Sequence, residues 1–173
     1  MKRVGWIIVG VNRVISLDQS FTNCSFSIWE GDKLYDFGVI ASNKEDAIHI
    51  RIKYIIAKLR SIIQEENITH LVLEGLSLGG VSNSSRSLGA LFYCIQILCD
   101  DLDIPFEDIP PKTVKKIWTG NGNSSKQDME KHCPEDLLKK IEASPFRTIS
   151  KGKRDIIDSF AIYKSWVQMY GIK

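Results

Sequence analysis

Val14-Ile15-Ser16-Leu17-Asp18 is a short apolar run that stops on an acid, and Leu71-Val72-Leu73-Glu74 repeats the pattern further along. Each reads as a buried strand. A carboxylate at the end of such a strand is costly unless it is paired or holds a cation. If the two strands are neighbours, Asp18 and Glu74 converge at one edge of a sheet. Working outward, Cys24 to Trp29 alternates and is aromatic, Glu30-Gly31-Asp32 is a turn, and Leu34 to Ile40 is a further strand, which suggests an antiparallel meander. Asn43 is the expected N-cap of a long helix, with Glu45 and Asp46 in its first turn. Ile48, Ile52, Ile55, Ile56, Leu59, Ile62 and Ile63 recur at helical spacing as far as Glu66-Asn67.

Beyond Glu74, Gly75 to Ser85 is a Gly/Ser-rich loop and Leu88 to Leu98 an apolar helix. A strand is expected at Phe106 to Ile109, and Pro110-Pro111 opens another helix. Thr119 to Ser125 is a polar loop, followed by a charged helix from Ser125 to Glu142 with a break at Pro134. Ser144 to Gly152 is a loop, and a last helix carries Asp155 and Asp158. The order β-β-β-α-β-α-β-α-α-α predicts an α/β fold with a mixed five-stranded sheet flanked by helices.

The 173 residues, 43% of them hydrophobic, suit one compact domain, with residues 1–13 as an arm or strand extension. A net charge of +2 excludes a globally basic protein, so any nucleic-acid surface must come from local clustering. Cys24, Cys94, Cys99 and Cys133 form no CxxC pair, which argues against a zinc site and for reduced thiols in an intracellular protein. Lys2 and Arg3 precede an apolar run, Val4 to Val11. Asn12 and Arg13 interrupt it before any cleavage site, and it is too short to span a bilayer. No membrane role is expected.

Asp155 and Asp158 sit three apart near a helix start, so both project from one face. Taken singly, each acid has a plainer reading: Asp18 as a turn opener, Glu74 as a solvated strand end, Asp155 and Asp158 as helix-capping acids. Together they form a set of like charges that hard divalent cations resolve, with Mg²⁺ as the expected ion and Mn²⁺ as a substitute. Two such ions about 4 Å apart stabilise the entering and leaving oxygens of phosphodiester hydrolysis. Asp18, from a central strand, is the natural bridging ligand.

Several stretches resemble the RuvC family of Holliday-junction resolvases. They are Ile15-Ser16-Leu17-Asp18-Gln19-Ser20 with Thr22-Asn23, then Leu73-Glu74-Gly75, and then Pro111, Val114-Lys115-Lys116, Gly120-Asn121-Gly122 and Lys126. Lys153-Arg154-Asp155-Ile156-Ile157-Asp158-Ser159-Phe160-Ala161 completes the series. Order and spacing agree from Val14 to Trp166. The resemblance implies an RNase H-like nuclease fold and a homodimer with two Mg²⁺ per active site. It also implies paired nicks across a four-way DNA junction, in the cytoplasm (the host's, if phage-encoded). It carries the four acidic positions onto Asp18, Glu74, Asp155 and Asp158, which are expected to bind metal and catalyse. The likeness is greatest to RuvC-like enzymes of bacteriophages. Two departures stand out. The arm before Asp18 is longer than usual. Gly75-Leu76-Ser77 follows Glu74, where bacterial members usually carry Gln and then an aromatic linked to the junction centre. The second departure keeps a broader branched-DNA endonuclease open, covering three-way junctions, forks and flaps. A non-catalytic DNA-binding protein on the same fold is the remaining alternative.

Lys112, Lys115, Lys116, Lys126, Lys151, Lys153 and Arg154 concentrate in the C-terminal half. Of these, all but Lys151 are candidate DNA contacts, with Asn121 beside them. Gly120 to Ser125 is a candidate phosphate nest at a helix start. Leu88, Leu91, Phe92 and Ile95 are the expected dimer face, by the same resemblance. Trp29, Trp118 and Trp166 are expected in the core.

Overall fold

The computed structural model describes residues 13–76 and 83–171. The proposed arm before Arg13 and the middle of the loop after Glu74 lie outside the described residues. Five strands, β1 (Arg13–Asp18), β2 (Cys24–Glu30), β3 (Lys33–Ile40), β4 (Ile68–Glu74) and β5 (Phe106–Ile109), form one sheet in the order β3-β2-β1-β4-β5. The first three make the expected antiparallel meander, while β1, β4 and β5 run parallel. The mixed sheet has β1 at its centre. Because β1 and β4 are parallel neighbours, their C-terminal acids emerge at the same edge.

Helices cover both faces. They are α1 (Ile48–Glu65), α2 (Asn83–Asp101), α3 (Pro111–Thr119), α4 (Lys126–Lys131), α5 (Glu135–Glu142) and α6 (Lys153–Tyr170). The strand period of two sorts the side chains. Ile15, Leu17, Leu71 and Leu73 face α1 and α2, where they join Ile55, Leu59, Leu91 and Ile95. Val14, Trp29 and Val72 face α6 and pack with Phe160, Tyr163 and Trp166. Trp29 stacks on Tyr163 at 4.6 Å. Trp118 is half-buried and donates its Nε1–H to the Met129 carbonyl. Trp29, Trp118 and Trp166 are packing residues, as expected.

Three boundaries differ from the sequence reading. Asn43 does not cap α1. Its Oδ1 accepts from the Glu45 amide and its carbonyl from the Asp46 amide, closing a separate turn, and Ala47 precedes the helix without a side-chain cap. A short Asn side chain satisfied locally in a turn is no longer available to a helix end. α2 begins at Asn83, within the stretch expected to be loop. Pro134 does break the charged helix, giving α4 and α5.

α6 is preceded by Gly152, which has φ +99° and packs so closely on β3 that a Cβ would lie 2.8 Å from Val39 Cγ2. Only glycine fits both demands. It brings the first two turns of α6, with Asp155 and Asp158, down onto the sheet edge where β1 ends.

Candidate metal centre and nucleic-acid interface

One carboxylate oxygen each from Asp18, Asp155 and Asp158 lie within 4.8 Å of one another. Glu74 stands at the end of the adjacent strand, outside that trio, but its charge is felt by Asp18 and it feels that of Asp158. Burial, reinforced by the neighbouring Asp158 and Glu74, pushes the Asp18 carboxyl well above the usual carboxylate range. Burial and Asp158 push Glu74 up to about 7. Asp158 is raised as well, again by burial first, with Lys126 pulling the other way. These shifts describe a site short of positive charge. All its donors are hard oxygens, which fits a hard divalent cation.

Residues without an assigned role in the sequence reading hold this geometry. Asn23 Nδ2 donates to Asp155 Oδ2 at 3.0 Å, and Ser25 Oγ donates to the Asp155 carbonyl at 2.5 Å. The β1–β2 connection thus grips the first turn of α6. Gln19 Nε2 donates to the Glu74 carbonyl at 2.5 Å, tying the ends of β1 and β4 together, while its buried Oε1 has no partner. Ser25 and Ser27 were visible as the polar half of an alternating strand. Both are fully buried under α6.

The basic candidates fall into three groups. Lys126 points into the acids, with Nζ 2.9 Å from Asp155 Oδ1 and 3.3 Å from Asp158 Oδ2. Partial burial pulls its ammonium down, but the hydrogen bond to Asp155 and the surrounding carboxylates hold it above its ordinary value. Lys153 and Arg154 turn away and share Glu130, each at 3.0 Å. Their charge is largely neutralised within the protein, and they lower the Glu130 carboxyl in return. Lys112, Lys115 and Lys116 lie on α3. Lys112 and Lys116 are exposed, and Lys115 lies near enough to Glu74 and Asp158 to stabilise their charges.

Two expectations are corrected. The loop after α3 is not an open phosphate nest. The Asn121 amide donates to Thr119 Oγ1, the Asn123 amide to Asn121 Oδ1, the Ser124 amide to the Asn121 carbonyl, and the Ser125 amide to Asp128 Oδ2. Polar side chains close the loop on itself, so those amides are already engaged, while the Asn121 side chain stays exposed. On α2, Leu91, Phe92 and Ile95 are buried against α1 and the sheet, so they form core within one chain. Leu88 is half-buried. The outward apolar residues of this helix are Tyr93 and Ile97, each 59% exposed.

The backbone path can now be set beside known proteins. The RuvC of Thermus thermophilus, solved in complex with a Holliday junction substrate, superposes with a TM-score of 0.70 over 94% of this chain and 98% of that one, at 13% identity. The fold is that of the RuvC resolvases. In sequence, the chain is 23% identical over 154 residues to the crossover junction endodeoxyribonuclease RuvC of Chlamydia trachomatis serovar L2, covering 86% of this chain and 87% of that protein. It is 32% identical over 92 residues to the RuvC of Rickettsia conorii, covering 53% of this chain and 59% of the relative. No family model matches. Within the RuvC-like fold, no helix of the described residues is long and apolar enough to cross a membrane.

Proposed function

We propose that this chain is a RuvC-type crossover junction endodeoxyribonuclease of the bacteriophage branch, with Asp18, Glu74, Asp155 and Asp158 as its metal-binding and catalytic acids. The observation that carries the proposal is the convergence of Asp18, Asp155 and Asp158 within 4.8 Å on a RuvC-like fold, with Glu74 on the adjacent strand end. Mg²⁺ is the expected ion, two per site, with Mn²⁺ as a substitute. Bound there, it supplies charge stabilisation to the phosphate under attack and lowers the pKa of water. The chain's own residues do the rest. Asn23 and Ser25 fix the orientation of Asp155. Gln19 keeps the ends of β1 and β4 in register beside the acids. Lys112, Lys115 and Lys116 hold the DNA backbone from α3, and such contacts weaken steeply with salt.

Resolving a four-way junction takes two symmetric cuts, so a homodimer belongs to the same proposal. Exposed Tyr93 and Ile97 on α2 support it, as the apolar surface a second copy would cover. The whole chain is read as one nuclease domain, with the residues before β1 as an arm, acting in the cytoplasm. Lys153 and Arg154, tied to Glu130, are assigned to the fold rather than to DNA.

Gly75-Leu76 in place of Gln and an aromatic favours a second reading, a wider range of branched DNAs. One assay separates the possibilities. The purified protein is incubated with Mg²⁺ and a synthetic four-way junction, with three-way, forked and linear DNA at matched salt. Symmetric nicking confined to the four-way junction supports the resolvase. Cutting of all branched forms supports the wider enzyme. Equal cutting of linear duplex would sink both.

A further inference from the structure

We infer that Lys126 is a resident counter-cation of the acidic cluster, which a divalent ion must displace to bind, so that metal loading releases this ammonium towards the DNA backbone. The inference rests on the proposed metal-binding role of the acids and adds an exchange step to it.

The case begins in the loop before α4. Ser125 and Asp128 form a capping box: Ser125 Oγ accepts from the Asp128 amide, and the Ser125 amide donates to Asp128 Oδ2. Reciprocal caps of this kind fix a helix start. Lys126 is the first residue of that helix, so its backbone is pinned beside the acids. Its side chain is held only by its ion pairs to the acids, and it remains 55% exposed.

The ammonium uses Asp155 Oδ1 and Asp158 Oδ2, at 2.9 and 3.3 Å. Both carboxylates belong to the trio that would enclose a cation. A divalent ion on those carboxylates would stand within a few ångströms of the ammonium, and like charges at such distances repel strongly when partly shielded from water. The two cations therefore compete for the same pair of carboxylates. Lys153 and Arg154, nearby in sequence, have Glu130 as their partner and take no part in this competition. Lys115 feels the charges of Glu74 and Asp158 but forms no ion pair with either. Among the described basic residues, Lys126 alone is paired to the trio.

The consequence is an ordered hand-over. Without metal, Lys126 screens the acids from one another and presents little free charge to DNA. With metal, the acids are satisfied and the lysine becomes an unpaired cation at the mouth of the site, where an incoming phosphate is the next available anion. By linkage, DNA that captures Lys126 favours metal binding, and metal favours DNA.

The test follows Lys126 directly. The side-chain ammonium resonance of wild-type protein, assigned through its loss in Lys126→Arg, is recorded by ¹H–¹⁵N NMR during titration with Mg²⁺. Mn²⁺ and Mg²⁺ affinities of wild type, Lys126→Gln and Lys115→Gln are then measured by calorimetry, with melting curves to confirm folding. The expected results are a shift or loss of the Lys126 signal on metal saturation, and metal binding about tenfold tighter in Lys126→Gln. Lys115→Gln, which removes the same charge without an ion pair, should change affinity by less than about threefold. An ammonium signal unmoved by saturating metal, or equal gains in the two glutamine variants, would overturn the exchange while leaving the metal site intact. Failure of wild type and Lys126→Gln alike to bind either ion would overturn the metal reading and the exchange with it.

Discussion

The two covers of the sheet are built from different chemistry. Under α1 and α2 the contact is apolar and mainly aliphatic, with Ile15, Leu17, Leu71 and Leu73 against Ile55, Leu59, Leu91 and Ile95. Under α6 the sheet is polar at intervals. Ser16 and Ser27 share a hydrogen bond, Trp29 donates to Ser27, and Ser25 reaches the Asp155 carbonyl. His70 pairs with Glu107, which also accepts from Trp166. Apolar packing has no direction, whereas hydrogen bonds fix angles. The aliphatic cover can therefore hold the sheet without aiming anything. The α6 cover fixes how Asp155 meets the sheet edge.

That contrast predicts separable damage. The largest effect should come from Asp18→Asn. Junction nicking should fall on the order of 10³-fold or more, since the acids act as a unit. The same change removes a buried, mutually repelling charge, so melting in EDTA should occur at a higher temperature than in wild type. Loss of both cutting and metal-free stability would break the proposed division. Next is Leu91→Ala on the aliphatic side. A buried leucine truncation costs about 3 kcal/mol, and denaturant midpoints should show it. Cutting per folded molecule at low temperature should stay near wild type. A large drop there would mean that the aliphatic cover also aims the acids.

The smallest effect is pH dependence without metal. Glu74 is raised in the folded protein to about 7 from an ordinary value of 4.5, so folding favours its protonated form. Its contribution is fully present below pH 4.5 and is lost as pH rises through about 7. Asp18 acts in the same direction. Metal-free stability should therefore fall by on the order of 2 kcal/mol across that window. Saturating Mg²⁺ should flatten the fall, because the ion stabilises the ionised carboxylates. Urea titrations at a series of pH values, with EDTA and with Mg²⁺, check this. A metal-free profile that rises over the same range would contradict the buried-acid account.

Much of the acid constellation was legible in sequence because it depends on local pattern. An apolar run ending in an acid marks a strand end, and a three-residue spacing marks one helix face. Where Lys126 points was not legible. Its direction depends on α4 and α6 meeting across the sheet edge, and no local period records that. The Gly120 to Ser125 loop misled for a related reason. Its backbone amides at a helix start look like a phosphate nest, but side chains of the same stretch take them first. On α2, the resemblance points to a second copy of the chain against the apolar stripe of Leu88, Leu91, Phe92 and Ile95. Helix α1 and the sheet cover most of that stripe, leaving Tyr93 and Ile97.

The grip of Asn23 and Ser25 on the first turn of α6 joins segments far apart in the chain. During synthesis, the ribosome delivers Asp18 and Glu74 long before Asp155 and Asp158. A nascent chain lacking α6 has neither the third and fourth acids nor the aromatic cover that closes the sheet. The acidic cluster therefore assembles only after α6 has been made, and a chain cut short before Lys153 would carry Asp18 and Glu74 without their partners.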